Sequence, residues 1–275
     1  MDNISIVIPF YNAEEYFNEA YQSIKKQTLQ PKEIIVVIDG CGQKSEDFLT
    51  SYEDLVLINL AENVGPAEAR NIGVKKAKSQ WIAFMDSDDK WKTNKLEKQL
   101  EFLTKHTNFS ACHTGVIVFN KERIIANYFD KPFDLSVTDL LKTSHVVPTS
   151  FIISKKAFDE VGGFDAKLKC SEDHDFTLNL VSNGYRIGFL SDTLAYLRRE
   201  DHGNISSNGR SLIIGHWQLL KKNFHLFKKS RGATSYFIYK TFMTAGSKSI
   251  GIEKKVYYLL GKIFYLFVPK TEGEK

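Results

Sequence analysis

The chain has 275 residues, of which 43% are hydrophobic, 25% charged and 13% aromatic. This composition is typical of a soluble globular protein, and it excludes a disordered, collagen-like or disulfide-stapled chain. The three cysteines lie far apart in sequence, without the paired spacing of a zinc site, which indicates a reducing compartment. The N-terminus lacks the basic and long apolar segments of a signal peptide, so the sequence predicts a cytoplasmic protein.

Charge is distributed unevenly along the chain. The 37 Lys and Arg residues exceed the 33 Asp and Glu residues only slightly. From Arg210 onward, however, 13 basic residues stand against 3 acidic ones, so the part before Arg210 carries a net negative charge. An acidic body argues against nucleic acid as a partner, whereas a basic, aromatic-rich tail suits the anionic face of a membrane.

The first half of the chain alternates between apolar runs and amphipathic polar stretches. Four runs have the composition of buried β-strands: Ile4–Pro9, Glu33–Ile38, Leu55–Leu60 and Trp81–Met85. Between them, Ala13–Thr28 and Gly65–Ser79 carry apolar residues at helical spacing. Strands joined by helices predict a mostly parallel sheet flanked by helices, with ligands bound beyond the carboxyl ends of the strands.

Less regular elements follow these strands. The pattern predicts a helix over Thr93–Lys105, strands near Phe109–Phe119 and Thr149–Ser154, and another helix after Glu172. No internal repeat or low-complexity segment interrupts this part, and Gly, Ser and Asn cluster near residues 204–210. We therefore predict one folded domain over residues 1–208 and a helical C-terminal extension over residues 209–275.

The C-terminal extension contains two apolar stripes surrounded by lysines. The first comprises Ile213, Trp217, Leu220, Phe224 and Phe227. The second lies within Val256–Val268 and comprises Val256, Leu259, Leu260, Ile263 and Phe267. That run is well short of the roughly 20 residues of a spanning helix, so it suits a helix lying in the membrane interface. A helix packed on the rest of the protein or on another subunit would show the same pattern, and the positive charge favours the membrane.

The strongest local signal for chemistry is Asp86-Ser87-Asp88-Asp89, directly after a predicted strand. Three carboxylates in four positions repel one another unless a cation neutralises them. Oxygen ligands suit Mg²⁺ or Mn²⁺, which commonly bridge to phosphates. A solvated acidic turn or a helix N-cap would show the same four residues.

Five motifs occur in order along the first three quarters of the chain. They are Ser5-Ile6-Val7-Ile8-Pro9-Phe10-Tyr11-Asn12, Val37-Ile38-Asp39-Gly40, Glu62-Asn63-Val64-Gly65, Ala69-Arg70-Asn71-Ile72-Gly73 and Met85-Asp86-Ser87-Asp88-Asp89. The ordered set resembles the family 2 glycosyltransferases of the GT-A fold, over about residues 3–205. The resemblance implies an α/β protein with a Rossmann-like, mostly parallel sheet. It also implies an inverting transferase that uses a nucleotide-diphospho-sugar and a divalent metal ion, Mn²⁺ or Mg²⁺.

The resemblance further implies roles for individual residues. The donor-binding residues would be Pro9, Tyr11, Asn12, Asp39, Asn63, Arg70, Asp86 and Ser87. Asp39 would accept a hydrogen bond from the base, which favours uracil, although Asp39-Gly40 also fits a plain turn. Arg70 would face the phosphates, and it also fits a surface position on a helix. Asp88 would be the principal metal ligand, and Asp89 would support the metal site or contact the sugar.

An inverting transfer needs a base that deprotonates the acceptor hydroxyl. Ser171-Glu172-Asp173-His174-Asp175-Phe176 is similar to the acidic motif that opens a helix on the acceptor side of this family. The resemblance implies that Asp173 is the base and that Glu172 orients the acceptor or exchanges roles with Asp173. A capped helix start, with Ser171 as the N-cap, fits the same residues, and both interpretations can hold at once.

Two further segments resemble parts of the family's site. Val147-Pro148-Thr149-Ser150 stands where the family builds the floor of the sugar pocket. The segment from Leu197 to Ser206 resembles a Tyr-Arg-x-His motif, with Glu200-Asp201 as a departure from it. That motif implies a metal or diphosphate contact for His202 and phosphate contacts for Arg198 and Arg199.

The sequence therefore predicts an inverting glycosyltransferase that moves a sugar, with a UDP-sugar as the preferred donor, to a hydroxyl of a glycan or lipid-linked glycan. The setting that we expect is bacterial lipopolysaccharide, capsule or exopolysaccharide synthesis, on the inner face of the cytoplasmic membrane as a peripheral protein. One alternative is a non-catalytic scaffold that binds nucleotide-sugars. Another is a nucleotidyltransferase, which usually has a Gly-rich basic loop where this chain has Pro9-Phe10-Tyr11-Asn12.

Overall fold

The computed structural model describes residues 4–200 and 208–269. These residues group into two compact units. The first unit takes its residues from Met1–Leu135, Val146–Ala166 and Asn179–Arg199. The second takes them from Ser136–His145, Lys167–Leu178 and Glu200–Lys275. The predicted boundary between residues 208 and 209 falls inside the last of these segments and stays a prediction.

The first unit is built on one nine-stranded sheet. Its strands are β1 (Ile4–Phe10), β2 (Glu33–Asp39), β3 (Leu55–Leu60), β4 (Trp81–Phe84), β5 (Lys90–Trp91), β6 (Ala111–Phe119), β7 (Ile124–Tyr128), β8 (Phe151–Ser154) and β9 (Ile187–Arg198). The spatial order is β3-β2-β1-β4-β8-β6-β9-β5, and β7 pairs with β6. The helices of this unit are α1 (Glu14–Lys25), α2 (Gln43–Thr50), α3 (Pro66–Lys76), α4 (Lys95–Lys105) and α6 (Lys155–Glu160).

The first four predicted strands are all present, and they pair in parallel. Strand β1 lies between β2 and β4, and β2 also pairs with β3. The central residues of β1, β2 and β4 are buried because helices cover the sheet, which explains the continuous apolar runs in the sequence. Strand β3, at the edge of the sheet, is only partly buried. Helix α3 approaches β1 so closely that a Cβ on Gly73 would lie 2.4 Å from a methyl carbon of Val7. The carboxyl ends of these strands therefore meet at one edge, which we call the carboxyl edge.

The other half of the sheet is mixed. Strand β8 pairs antiparallel with β4 and with β6, and β5 pairs antiparallel with β9. Strands β6 and β9 are parallel to each other. The predicted α/β class with flanking helices is confirmed, and the sheet is parallel only over β3-β2-β1-β4 and in the β6-β9 pair.

The second unit is helical. Its elements are α5 (Val137–Lys142), the first part of α7 (Glu172–Ser182), α8 (Gly209–Lys222), α9 (Phe224–Lys229), α10 (Ala233–Ser247) and α11 (Gly251–Tyr265). Phe237 of α10 is buried, and its ring contacts those of His174, His216 and Phe227. The predicted helical extension is confirmed, with α10 as an additional central helix. No helix within the described ranges is long and apolar enough to cross a membrane.

Candidate functional site

Asp86–Asp89 leave the sheet where β4 ends, at the carboxyl edge, and we call them the acid turn. Strand β4 is buried throughout, and the N–H of Met85 still donates to the carbonyl of Val7 at 3.1 Å. Within the acid turn, Asp86 and Asp88 are half-buried, whereas Ser87 and Asp89 are buried. Two of the three carboxylates are thus accessible at the edge where the fold binds ligands.

Asp89 anchors the acid turn to the rest of the first unit. Its carboxylate accepts hydrogen bonds from the hydroxyl of Thr149 and, at 2.8 Å, from the backbone N–H of Arg198. Burial, followed by the charges of Asp88 and Asp86, raises the pKa of Asp89 well above its usual range. Two roles were predicted for Asp89, supporting the metal site or contacting the sugar. Its geometry fits the supporting role, because its carboxylate is buried and bonded within the protein.

Thr149 is the second anchor. Its hydroxyl accepts the N–H of Asp86 at 3.1 Å and donates to Asp89. Its carbonyl accepts the indole N–H of Trp91 at 2.7 Å. The polar groups of Thr149 thus bond to the acid turn and to Trp91, two residues after that turn. The sugar-pocket floor predicted for Val147–Ser150 stays a prediction.

Arg198 holds the backbone of the acid turn. Its buried guanidinium donates to the carbonyl of Asp88 at 2.9 Å and to the carboxylate of Glu19 at 2.9 Å. It also lies over the rings of Tyr16 and Phe119, at 4.6 Å and 4.7 Å from their centroids. The side chain of Arg198 is thus directed into the protein, and its predicted phosphate contact stays a prediction.

Arg199 and His202 belong to the same predicted motif as Arg198. Arg199 is exposed, and its guanidinium donates to the carbonyl of Arg198 at 2.9 Å. Its predicted phosphate contact stays a prediction. His202 lies outside the described residues, and so does its predicted metal contact.

Arg70 orients one carboxylate of the acid turn. It projects from α3, is only 3% exposed, and forms an ion pair with Asp86 at 2.6 Å. Its guanidinium lies 5.7 Å from the centroid of the Phe164 ring. Because Arg70 is buried, it is not a surface residue of the helix. Its ion pair with Asp86 places the guanidinium charge at the carboxyl edge.

Asp39 connects the end of β2 to the loop after β3. Its carboxylate accepts the backbone N–H groups of Val64 at 2.7 Å and Gly65 at 2.9 Å, and its carbonyl accepts the side-chain amide of Asn63 at 3.2 Å. Gly40 follows with a φ of 68°, and a Cβ there would lie 2.3 Å from the backbone nitrogen of Asn63. Each carboxylate oxygen of Asp39 has a second lone pair for a further donor. The predicted bond to a base stays a prediction.

The end of β1 presents an aromatic ring to solvent. Tyr11 is 55% exposed, and Asn12, which is also exposed, has a φ of 48° in the left-handed region. Pro9 is half-buried in β1 itself. An exposed ring beyond a central parallel strand gives a nucleobase a face on which to stack.

In the second unit, the predicted acceptor-side acids open α7. Ser171 has a φ of 67°, and its carbonyl accepts the N–H of Asp175 at 3.0 Å. Glu172 and Asp173 are half-buried in the first turn, where the helix dipole favours negative charge. Asp173 accepts the N–H of His174 at 2.7 Å. The helix-start interpretation fits this geometry, and the catalytic one stays a prediction.

The neighbours of Asp173 on α7 have structural partners. The buried carboxylate of Asp175 contacts Lys222 at 2.7 Å and the side-chain amide of Asn223 at 2.8 Å. His174 is buried against the carbonyl of Leu140, and burial lowers its pKa to about 4. His174 is therefore neutral at pH 7.

Residues 5–162 match the family model described as glycosyl transferase family 2. The chain belongs to glycosyl transferase family 2. A relative named as a teichuronic acid biosynthesis glycosyltransferase, TuaG of Bacillus subtilis (strain 168), is 28% identical over 231 residues, covering 82% of this chain and 87% of TuaG. The Escherichia coli protein WfaP, named UDP-Glc:alpha-D-GlcNAc-diphosphoundecaprenol beta-1,3-glucosyltransferase, is 27% identical over 223 residues, covering 80% of this chain and 86% of WfaP.

The fold of this family 2 glycosyltransferase is also found among solved structures. S. aureus TarS 1–349 in complex with UDP-GlcNAc superposes with a TM-score of 0.70 at 23% identity, over 97% of this chain and 82% of that one. This likeness supports the GT-A fold. Family membership establishes a transferase and removes the nucleotidyltransferase alternative.

The acid turn of this glycosyltransferase has the donor chemistry of a hard-cation site. Carboxylate oxygens suit Mg²⁺ and Mn²⁺, and a protein often holds Mg²⁺ with only one or two carboxylates while phosphates and water complete the shell. Asp86 and Asp88 match that description. Among the described residues, no group of three or more His, Cys, Asp or Glu side chains could hold a metal. The chemistry of these two carboxylates fits a hard cation that takes its further ligands from outside the protein.

Removing the hydroxyl of Thr149 is expected to destabilise the glycosyltransferase. Thr149→Val keeps the side-chain volume but removes a partner from Asp86 and from the buried carboxylate of Asp89, so the free energy of unfolding should fall by about 1–3 kcal/mol. Thr177→Val is the matched control, because that buried hydroxyl bonds only to backbone carbonyls of its own helix. Chemical denaturation measures both variants. Equal losses in the two variants would show that Thr149 does not anchor the acid turn.

Proposed function

We propose that this chain transfers a sugar from a UDP-sugar to a hydroxyl of a glycan acceptor, with inversion at the anomeric carbon. The observation that carries the proposal is the acid turn, where Asp89, Thr149 and Arg198 fix two accessible carboxylates at the carboxyl edge. Asp39 and the exposed ring of Tyr11 end neighbouring strands at the same edge. The similarity to WfaP, which is named for a UDP-Glc donor, and to TarS, which was solved with UDP-GlcNAc, supports a uridine donor.

The donor would bind along this edge. Asp88 would be the principal protein ligand of a Mn²⁺ or Mg²⁺ ion, and Asp86 would contribute beside it while Arg70 fixes its orientation. When bound, the metal neutralises charge on the diphosphate and stabilises it as a leaving group. The nucleoside side of the site would consist of Pro9, Tyr11, Asn12, Asp39, Asn63 and Ser87. Arg199 and His202 would approach the diphosphate.

The acceptor would be activated by Asp173. Its carboxylate would remove the proton of the acceptor hydroxyl while the oxygen forms a bond to the anomeric carbon. The bond from that carbon to the diphosphate breaks on the opposite face, which inverts the configuration. Glu172 would orient the acceptor.

The acceptor class that we propose is a lipid-linked glycan in the assembly of a bacterial surface polysaccharide. The similarity to TuaG and WfaP supports this setting, since TuaG is named for teichuronic acid biosynthesis and WfaP for a diphosphoundecaprenol acceptor. The enzyme would then act at the cytoplasmic leaflet as a peripheral protein. Residues 1–208 would be the catalytic domain and residues 209–275 an extension serving the membrane.

Calorimetric titration with nucleoside diphosphates tests the donor site. We expect UDP to bind in the presence of Mn²⁺, with a lower affinity for ADP and GDP and a large loss of affinity when a chelator is added. Release of UDP from UDP-glucose and UDP-GlcNAc in the presence of membrane extracts would then identify the sugar. Absence of binding by every nucleoside diphosphate would overturn the proposal, whereas UDP binding without any sugar transfer would favour the non-catalytic scaffold.

A further inference from the structure

Helix α11 has an inner face that is packed against α10. The ring of Phe242 lies 6.2 Å from that of Tyr257 and 5.9 Å from that of Phe264, measured between centroids. Gly261 is buried, and a Cβ on it would lie 3.0 Å from the sulfur of Met243. One side of α11 thus packs against α10, and this packing sets the orientation of the opposite side of α11.

A second apolar face of α11 is exposed. We call it the outer face, and it consists of Ile252, Val256, Leu259, Ile263 and, just beyond the helix, Phe267. These residues follow one another at intervals of three and four, so they project from one side. Their exposed fractions lie between 43% and 80%. The stripe predicted from the sequence included Leu260, which the structure places among the half-buried residues instead.

Lysines border the outer face. Lys255 lies three residues after Ile252 and four before Leu259, and Lys262 lies three residues after Leu259, so both project beside the apolar side chains. Both lysines are exposed. They belong to the part of the chain after residue 209, in which 13 basic residues stand against 3 acidic ones. A contiguous exposed apolar surface of this kind marks an interaction site. The positive charge of the bordering lysines favours a partner with negative charge.

We propose that the outer face of α11 lies on an anionic lipid bilayer, in the plane of the headgroups. This rests on the proposed function, because a lipid-linked acceptor is presented at such a surface. A helix of 15 residues is about 22 Å long, and it matches an interfacial helix with apolar residues towards the acyl chains and lysines at the phosphates. A second copy of the chain is the weaker candidate, since a two-fold contact through the outer face brings lysines against lysines.

Flotation of the full-length protein with vesicles tests this assignment. We expect binding to vesicles of equal parts phosphatidylcholine and phosphatidylglycerol, and little binding to phosphatidylcholine alone. Leu259→Gln with Ile263→Gln should weaken binding at least about tenfold by removing apolar contact. Lys255→Gln with Lys262→Gln should weaken it by about tenfold or more at low salt and much less at high salt.

The matched control replaces Ile124 and Ile125 by glutamine. Both are exposed apolar residues, at 64% and 50%, and they lie on β7 in the first unit, so vesicle binding should not change. Equal loss in the control and the α11 variants would overturn the proposal, and so would wild-type protein that ignores anionic vesicles. Analytical ultracentrifugation tests the alternative of a second copy. A dimeric wild-type protein together with a monomeric Leu259→Gln, Ile263→Gln double variant would assign the outer face to a dimer contact.

UDP titration of the same protein samples separates the two proposals. Intact UDP binding without vesicle binding contradicts only the role of the outer face. Vesicle binding without UDP binding contradicts only the donor site.

Discussion

Asparagine in place of Asp173 should lower the rate of sugar transfer by about 10²- to 10⁴-fold, because an amide cannot accept the proton of the acceptor hydroxyl. The affinity for UDP should not change. The Asp173 oxygen that accepts the N–H of His174 has a counterpart in asparagine, so the start of α7 is retained. Steady-state release of UDP measures the rate, and calorimetry measures the affinity.

Glu172→Gln is the matched control for this substitution, since it removes the neighbouring carboxylate in the same helical turn. We expect a smaller loss, mainly in the KM for the acceptor. If Glu172→Gln lost all transfer activity while Asp173→Asn stayed active, Glu172 would be the base and Asp173 the orienting residue. Two active variants would show that the base lies elsewhere.

The second large effect is expected at Asp88. Asp88→Asn should reduce transfer by about 10³-fold and abolish the dependence of UDP binding on Mn²⁺, because the principal charged ligand is lost. The backbone carbonyl that Arg198 holds is unchanged, so the turn keeps its conformation. Asp47→Asn, an exposed acid on α2, controls for the loss of one negative charge. Metal-dependent UDP binding at wild-type strength in Asp88→Asn would contradict the assignment.

The parallel part of the fold could be predicted because its sequence signals are local. Each of the first four strands is an apolar run, and each run is followed by an amphipathic stretch. The polar residues that end the strands reach the carboxyl edge for the same topological reason. The acid turn and Asp39 were therefore placed correctly relative to the sheet from the sequence alone.

The remaining elements depend on contacts that are distant in sequence. Strand β9 contains Ser191, Asp192 and Thr193, which interrupt its apolar pattern, and it forms by pairing with β5 and β6. Helix α10 is apolar without a clear stripe, because other helices surround it. A periodic pattern arises where an element has one buried and one exposed face. Neither β9 nor α10 has such a pattern, so the sequence signal for each is weak.

The anchoring contacts of the acid turn could not be predicted from the sequence for a related reason. Thr149 bonds to Asp89 across 60 positions, and Arg198 bonds to Asp89 across 109. A motif states which residue types occur together but not which direction a side chain takes. The sequence therefore does not show that the side chain of Arg198 binds Asp88 and Glu19.

The 109-residue separation between Asp89 and Arg198 also sets the order of events during synthesis on the ribosome. Translation proceeds from the N-terminus, so β1 to β4 can pair long before β9 has been made. Until Arg198 emerges, the buried carboxylate of Asp89 lacks its backbone donor, and the carbonyl of Asp88 lacks its guanidinium. The nascent protein can thus pair its parallel strands β1 to β4 early, whereas β9 and the contacts that anchor the acid turn must form together later.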